Sequence, residues 1–140
     1  FYSHCRTVCP VLISTQRNIQ AHAQNNGYSD AVSFFPTTFD PARDTAERLR
    51  TYANDMNVAA DHENWHFLRP ASKERAKAVV QDQFGVVFQR TEPEDMDMYM
   101  FTHSALTLLV NADGFVERAY RSKSPDEETI ISDLKTVRNA

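Results

Sequence analysis

Cys5 and Cys9 are the two cysteines of the chain, and Pro10 directly follows the second. Their spacing of four residues brings both sulfurs to one side of a helical turn, where they could chelate one metal ion or form a disulfide after a small adjustment. A helix dipole and the charge of Arg6 would both favour the thiolate, which binds metals and attacks disulfides. The pair therefore predicts a metal site or a redox pair; the remaining interpretation is two buried cysteines that act as small hydrophobic residues.

Two thiolates match hard ions poorly but suit Cu(I), a soft ion that accepts two or three ligands. A structural zinc site would usually need a fourth protein ligand. A third ligand for the cysteine pair must come from elsewhere in the fold, and histidine is the natural candidate. The five histidines of the chain are His4, His22, His62, His66 and His103.

The positions of these histidines distinguish them only in part. The side chain of His4 should point away from the sulfurs if a strand continues to it, and we expect His22 to be a solvated residue of the first helix. His62 and His66 have a spacing typical of zinc ligands, but no further ligand pairs with them, which favours a surface role. His103 follows an acidic stretch, at the end of a loop that should lie next to the cysteines.

Hydrophobic periodicity and turn residues predict the elements that position these side chains. Helices are expected from residue 10 to a stop at 27, from a cap at 44 or 45 to about 56, from 72 to about 84, and after 124–127 as far as 137. Strands are expected at 31–35, 65–68, 86–88, 105–110 and 115–120, with a hairpin turn at 111–114. Residues 1–3 look like the tail of a buried strand, and 91–97 like an exposed loop.

This order of elements predicts an α/β fold of the thioredoxin-like class. Strands that alternate with helices pair in parallel through right-handed crossovers, and the late hairpin adds an antiparallel edge. The result is a central mixed sheet flanked by helices, in a single domain over 1–140. Because such a sheet needs a central strand before Cys5, we expect the chain to be an N-terminally truncated view of a longer protein.

Composition narrows the possible functions. Hydrophobic residues make up 41% and charged residues 24%, which is typical of a globular domain. The net charge is 15 − 19 = −4, with both signs mixed along the chain, so nucleic-acid binding is not expected. No apolar run reaches the roughly 20 residues that a membrane span needs, although an anchoring segment could precede the chain.

Four segments together resemble the Sco/SenC family. Residues 1–10, FYSHCRTVCP, resemble its hallmark of an aromatic residue, Thr or Ser, His-Cys, three further residues and Cys-Pro. Residues 39–45, FDPARDT, look like its Asp-Pro-x-Arg-Asp-Thr segment, and 64–68, NWHFL, like its Trp-containing strand. His103-Ser104-Ala105, followed by an Asn/Asp-Gly hairpin, is similar to its ligand-histidine segment.

The resemblance implies a thioredoxin-like domain that binds one copper ion through Cys5, Cys9 and His103. Members of the family assist assembly of the dinuclear copper centre of cytochrome c oxidase. The implied partners are the copper-accepting oxidase subunit and other copper chaperones or thiol-disulfide reductants. The implied location is extracytoplasmic, in the periplasm, at the outer face of the cell membrane, or in the mitochondrial intermembrane space. A membrane would be contacted only through an upstream anchor.

Two functions remain open, a copper metallochaperone and a thiol-disulfide oxidoreductase that cycles Cys5 and Cys9. Three residues separate the cysteines, where thioredoxin-type enzymes favour two, and His103-Ser104 stands where those enzymes have Xaa-Pro. Both differences favour metal binding. Thiolate chemistry serves both functions, so reduction of the recipient's cysteines stays possible.

The chain departs from the family pattern near the site. Arg6-Thr7 stands where Pro-Asp is common, and Thr102 where Asp is common before the histidine. The loss of two carboxylates predicts weaker Cu(II) binding with Cu(I) binding retained, since Cu(I) depends on the thiolates.

The residues around the histidine segment have further expected roles. Met96, Met98 and Met100 indicate either a strand edge or mobile loop, or a transient Cu(I) patch. We expect His103 to close on the metal from a mobile loop over 91–102. Asp40 and Arg43 are expected to be structural, because an Asp-Pro strand end beside a helix start needs local hydrogen bonds and charge pairing.

Overall fold

The computed structural model describes residues 1–58, 63–91 and 99–140. The helices are α1 (Val8–Asn25), α2 (Ala46–Asp55), α3 (Lys73–Ala76), which continues as a π-helical segment over Lys77–Gln83, and α4 (Glu127–Arg138). A 3-10 turn covers Ser29–Ala31. The strands are β1 (Phe88–Thr91), β2 (Met100–His103), β3 (Thr107–Val110) and β4 (Val116–Tyr120).

Helix α1 begins two residues earlier than predicted, at Val8, so that Cys9 lies within its first turn. Pro10 is tolerated there because the first N–H groups of a helix have no partner within the helix. The chain turns away at Gly27, which has a φ of +74° that favours glycine. The helix buries Ile13, Ile19 and Ala23 at intervals of a helical face, which is the periodicity that predicted it.

The starts of the other helices confirm the predicted caps. The Thr45 side chain accepts a hydrogen bond from Arg48 N at 3.2 Å and so caps α2. Ser72 accepts from Arg75 N at 3.1 Å, and Asp126 accepts from Thr129 N at 3.0 Å. Each side chain satisfies a backbone donor that the helix leaves open, and this requirement is visible in the sequence.

Parallel pairing is present, but it is shorter than the predicted strands at 31–35 and 65–68. Only two parallel bridges form between these segments, Phe34 with Trp65 and Thr37 with Leu68. Pro36 interrupts the pairing because proline has no N–H to donate to a ladder. On the other side, Phe39 N donates to Phe1 O at 2.9 Å, so the first residues lie beside this segment, although residues 1–3, predicted as the tail of a strand, form no strand themselves.

Antiparallel pairing forms two hairpin-like ladders. In the first, β1 pairs with β2, with Phe88 opposite His103 and Thr91 opposite Met100. The prediction of a loop over 91–102 is therefore wrong for 91, which ends β1, and for 100–102, which lie in β2. The ring of Phe101 packs against those of Tyr2, Phe39 and Phe88 and gives the strand a buried side. The predicted loop residues 92–97 lie outside the described residues.

The second ladder, β3 with β4, confirms the predicted hairpin. Thr107 lies opposite Tyr120, and the register shifts between Leu109 and Val110. In the turn, Asn111 Oδ1 accepts from Asp113 N and from Phe115 N, both at 3.0 Å, and Gly114 adopts a φ of +87°. Both strands begin slightly later than predicted, at Thr107 and Val116.

The apolar side chains form two clusters. The larger one packs α1, α2 and α4 against the parallel segments, and it includes Ile13, Ile19, Phe34, Tyr52, Trp65, Ile130 and Leu134. The smaller one contains Tyr2, Cys5, Cys9, Phe39 and Val80, with Phe88 and Phe101 packed against it. The two cysteines thus belong to a core of their own. Among the described residues, no helix has the length and apolar character needed to cross a membrane.

Candidate metal centre

The two cysteines lie in the turn that leads into α1. Cys5 is 5% exposed and Cys9 is fully buried, and both are free thiols. The turn is closed by a hydrogen bond from Cys5 N to Tyr2 O at 3.1 Å, and the Thr7 hydroxyl lies 3.9 Å from Cys5 Sγ. Both sulfurs therefore occupy a sheltered position at the beginning of a helix, which favours negative charge there.

His103 reaches the cysteines from the last position of β2. Its Nε2 lies 3.9 Å from Cys5 Sγ and 3.9 Å from Cys9 Sγ. Its Nδ1 lies 2.9 Å from the carbonyl oxygen of Ser104. Because a carbonyl can only accept a hydrogen bond, Nδ1 carries a proton, which leaves Nε2 as the ring nitrogen that can bind a metal. A backbone carbonyl on the second nitrogen is the usual arrangement behind a metal-binding histidine.

The spacing of these atoms fits a single ion. The two sulfurs and Nε2 all lie within 4.8 Å of one another. Sulfur and nitrogen ligands at the usual bond lengths of about 2.3 and 2.0 Å are separated by about 3.7 Å in a trigonal site. The 3.9 Å distances in the protein are close to that value. The three side chains can thus serve one ion with little movement.

The two thiols differ in their pKa values. A hydrogen bond from the Cys9 thiol to the Cys5 sulfur lowers the pKa of Cys5 to about 2, and the contact with His103 lowers it further against the effect of burial. The same hydrogen bond raises the pKa of Cys9, and burial raises it further. The copper-free pair therefore holds one proton and one negative charge at neutral pH. A metal ion that binds both sulfurs must displace that proton.

Aromatic side chains support the histidine, and sequence reasoning missed this layer. The ring of His103 lies 5.7 Å from that of Tyr2 and 5.3 Å from that of Phe39, measured between centroids. The Tyr2 hydroxyl accepts from Phe101 N at 3.3 Å and donates to Phe101 O at 3.4 Å. Tyr2 therefore joins the cysteine turn to the histidine strand. The sequence signal that could have indicated this layer is the set of aromatic residues Tyr2, Phe39 and Phe101, which lie near the segments that carry the cysteines and the histidine.

The other histidines are placed away from the sulfurs or outside the described residues. His4 Nδ1 lies 3.3 Å from Ser3 Oγ, near two aspartates. His66 is exposed and stacks on Phe35. The expectation that His22 is solvated holds only in part: the residue is half-buried, because the turn after α1 folds Tyr28 back against its ring and Nε2 is buried. His62 lies outside the described residues.

Other residues of interest lie beside the site rather than in it. Arg6 and Thr102 are exposed, and the ligand group contains no carboxylate. Met100 is 41% exposed and begins β2, whereas Met96 and Met98 lie outside the described residues. The weaker Cu(II) binding expected from the residue types at 6, 7 and 102 stays a prediction.

A comparison with protein families gives a match to SCO1/SenC over residues 1–139. The chain belongs to the SCO1/SenC family. Among curated relatives, a SCO2-like protein of Rickettsia typhi is 28% identical over 128 residues, which cover 90% of this chain and 59% of that protein. The chain thus spans somewhat more than half the length of the curated relatives it matches.

Solved structures share the fold. A SCO1/SenC family lipoprotein from Bacillus anthracis gives a TM-score of 0.78 at 25% identity, over 98% of this chain and 77% of that one. Bradyrhizobium japonicum ScoI with copper bound gives 0.76 at 23% identity, over 97% and 80%. BsSco, described as having a disulfide switch and belonging to the Sco family of cytochrome c oxidase assembly proteins, gives 0.72 at 22%, over 99% and 77%. The predicted thioredoxin-like class is confirmed.

Proposed function

We propose that this SCO1/SenC domain binds one copper ion through Cys5, Cys9 and His103 and delivers it during assembly of the dinuclear copper centre of cytochrome c oxidase. The observation that carries the proposal is the meeting of two sulfurs and one imidazole nitrogen within 4.8 Å. Copper here is the cargo that the domain carries. The resemblance in four sequence segments and the copper-bound Bradyrhizobium relative support the same assignment.

The donor set favours copper over other ions. Two thiolates and one imidazole are soft and borderline ligands, which suit Cu(I), and three ligands satisfy that ion. A structural zinc site usually has four protein ligands, and no carboxylate or further histidine among the described residues joins this group. Mg²⁺ and Ca²⁺ require oxygen ligands, which are absent from the group.

The burial of the ligands suits transfer as well as binding. The sulfurs are buried, whereas His103 is half-exposed at the end of its strand. An incoming ligand from a recipient can replace the imidazole first while both thiolates still hold the ion.

We propose the copper-accepting subunit of cytochrome c oxidase as the recipient, and other copper chaperones or thiol-disulfide reductants as further partners. The proposed location is extracytoplasmic. The Bacillus anthracis relative, which is described as a lipoprotein, is consistent with this location.

The direct test is the copper stoichiometry of the reduced protein. We expect one Cu(I) per chain after titration under anaerobic conditions and removal of unbound metal, and the ion should resist a weak Cu(I) chelator. Zn²⁺ offered at the same concentration should be displaced by Cu(I). A reduced, folded protein that retains no Cu(I) after this treatment would refute the function.

A second function is supported by the state of the two thiols. Cys5 has a lowered pKa and Cys9 retains a proton beside it, which is the arrangement of an attacking thiolate with a resolving partner. The Cys5 thiolate can attack a disulfide of the recipient and release one recipient sulfur as a thiolate. Cys9 then gives up its proton and displaces the second sulfur, so that the pair loses two electrons and one proton and becomes a disulfide, while the recipient keeps one thiol and one thiolate. We therefore propose reduction of the recipient's disulfide as a second activity of the same pair.

Two measurements test the second function, a count of the free thiols and the reduction of a recipient peptide. Mild oxidation should convert the two free thiols to none and release bound copper, because the thiolate ligands are consumed. A chaperone without reductase activity would bind copper yet leave a disulfide in a recipient peptide intact. Two free thiols in an oxidised sample that has also lost its copper would contradict both the pairing and the ligand assignment.

A further inference from the structure

We infer that Asp40 and Asp44 are positioning residues whose buried hydrogen bonds hold the cysteine turn and the histidine strand at the distance that one copper ion needs. The inference deepens the proposed function and rests on it. The polar brace, as we call it, consists of Thr38, Asp40, Arg43 and Asp44. Its side chains reach Ser3 on one side and Tyr99 on the other.

On the cysteine side, Asp44 holds Ser3, which lies two residues before Cys5. The Asp44 carboxylate accepts from Ser3 N at 3.1 Å and also from the Ser3 hydroxyl. Arg48 Nε donates to the same hydroxyl oxygen at 3.0 Å. Asp44 is fully buried and Ser3 is 5% exposed, so water does not compete for these bonds. The backbone that leads into the cysteine turn is thereby fixed.

On the histidine side, Asp40 holds Tyr99, the residue that precedes β2. The Tyr99 hydroxyl donates to Asp40 at 2.8 Å, and Arg43 Nε donates to the same carboxylate at 2.7 Å. Arg43 in turn donates from Nη1 to Tyr99 O at 2.7 Å and lies 3.6 Å from the centroid of the Tyr99 ring. Both ends of Tyr99, its hydroxyl and its backbone, are thus attached to the brace, which sets where the strand to His103 begins.

Thr38 joins the two sides. Its hydroxyl donates to Asp44 at 2.5 Å and accepts from Asp40 N at 3.0 Å, and Asp44 N donates to Asp40 O at 2.9 Å. Thr38 is fully buried, and Asp40 is 1% exposed. A continuous buried network therefore links Ser3 to Tyr99. Such a network specifies one arrangement, because any displacement leaves a buried carboxylate oxygen without its donor.

The carboxylates lie close enough to His4 to suggest a second cation site, but their oxygens are already used. One oxygen of Asp44 accepts from the Ser3 hydroxyl, and the other accepts from Ser3 N and Thr38. One oxygen of Asp40 accepts from Tyr99 and the other from Arg43. A cation would have to displace these donors. The cluster is therefore a set of hydrogen-bond acceptors that positions the two elements.

A pair of tyrosine variants tests the brace. Tyr99→Phe removes the hydroxyl that donates to Asp40 and keeps the ring. Tyr120→Phe is the matched control, because its hydroxyl donates to Asp133 at 2.7 Å, between β4 and α4. We expect Tyr99→Phe to weaken Cu(II) binding by about threefold to tenfold and to alter its electron paramagnetic resonance spectrum. Tyr120→Phe should lower the thermal midpoint to a similar degree and leave both copper readouts unchanged.

A copper-free readout separates this inference from the proposed function. Tyr99→Phe should shift the imidazole NMR signals of His103 in the reduced protein without metal, whereas Tyr120→Phe should not. Unshifted His103 signals in Tyr99→Phe would overturn the brace even where copper binds normally, and equal shifts in both variants would overturn it as well. Shifted signals in a chain that binds no copper would leave the brace standing and refute the proposed function. Ser3→Ala repeats the test from the cysteine side.

Discussion

The cysteine turn and the histidine strand contribute to the same site but differ in burial and in their supports. Cys5 and Cys9 lie in a core cluster at the start of an 18-residue helix. His103 is half-exposed and ends a strand of four residues that follows the undescribed segment 92–98. The soft ligands are thus held by extensive packing, whereas the imidazole is held by one short ladder and an aromatic layer, and the polar brace joins the two elements.

This difference indicates that the thiolates and the imidazole contribute differently to the binding of Cu(I) and Cu(II). The buried thiolates are sufficient for a soft ion, and the imidazole adds what a harder ion needs. Cu(I) binding should therefore depend chiefly on the cysteine turn, and Cu(II) binding on both elements.

The largest effect is expected on the cysteine side. Cys5→Ala or Cys9→Ala should weaken Cu(I) binding by more than about 100-fold, because a single thiolate leaves too few soft ligands. Loss of a residue that only supports a ligand typically costs up to about 100-fold in metal affinity, and loss of the ligand itself should cost more. Competition with a Cu(I) chelator measures the change. Thr15→Ala, a buried substitution elsewhere on α1, is the control for a general loss of structure. Unchanged affinity in either cysteine variant would remove that sulfur from the site.

An intermediate effect is expected on the histidine side. His103→Ala should keep the fold, retain part of the Cu(I) affinity and lose most of the Cu(II) binding. The reason is that imidazole matters more to the harder ion. Titration with each oxidation state, followed by absorption spectroscopy, measures both affinities. His66→Ala removes an exposed histidine that stacks on Phe35 and should change neither. Equal losses of Cu(I) and Cu(II) binding would contradict the proposed division.

The smallest effect concerns the two thiols in the copper-free protein. Cys5 should be alkylated faster than Cys9, because the hydrogen bond from Cys9 keeps Cys5 as a thiolate and Cys9 is fully buried. Brief treatment with iodoacetamide, then peptide mass spectrometry, gives the order of modification. Faster alkylation of Cys9 would show that the proton lies on the other sulfur.

Local features of the fold were predictable from the sequence, and contacts over long distances were less so. The caps Thr45, Ser72 and Asp126 follow from local hydrogen bonding, which a short window of residues contains. The predicted strand at 31–35 is reduced to isolated bridges, because Pro36 has no N–H to donate to the neighbouring segment at 65–68. Which segment lies beside Pro36 could not be known from the sequence. Strand β2 was missed because its stability comes from Phe101 and its distant aromatic partners rather than from its own pattern.

The candidate site shows the same contrast between local features, which the sequence predicts, and contacts between distant residues, which it does not. The cysteine pair is a local motif, and its chemistry could be read from residue type and spacing. His103 lies 98 residues from Cys5 in sequence, and periodicity alone did not select it from five histidines. The resemblance to the family supplied that choice. The brace was expected only as local support for a strand end, since the approach of Tyr99 to Asp40 depends on how the whole chain folds.

The most direct test of the account is X-ray absorption spectroscopy of the reduced protein loaded with one Cu(I). The account predicts a first shell of two sulfurs and one nitrogen in the unaltered protein. In His103→Ala the nitrogen should be lost while both sulfurs remain, and in His66→Ala the shell should be unchanged. A spectrum with two sulfurs alone in the unaltered protein, identical to that of His103→Ala, would contradict the three-residue copper site.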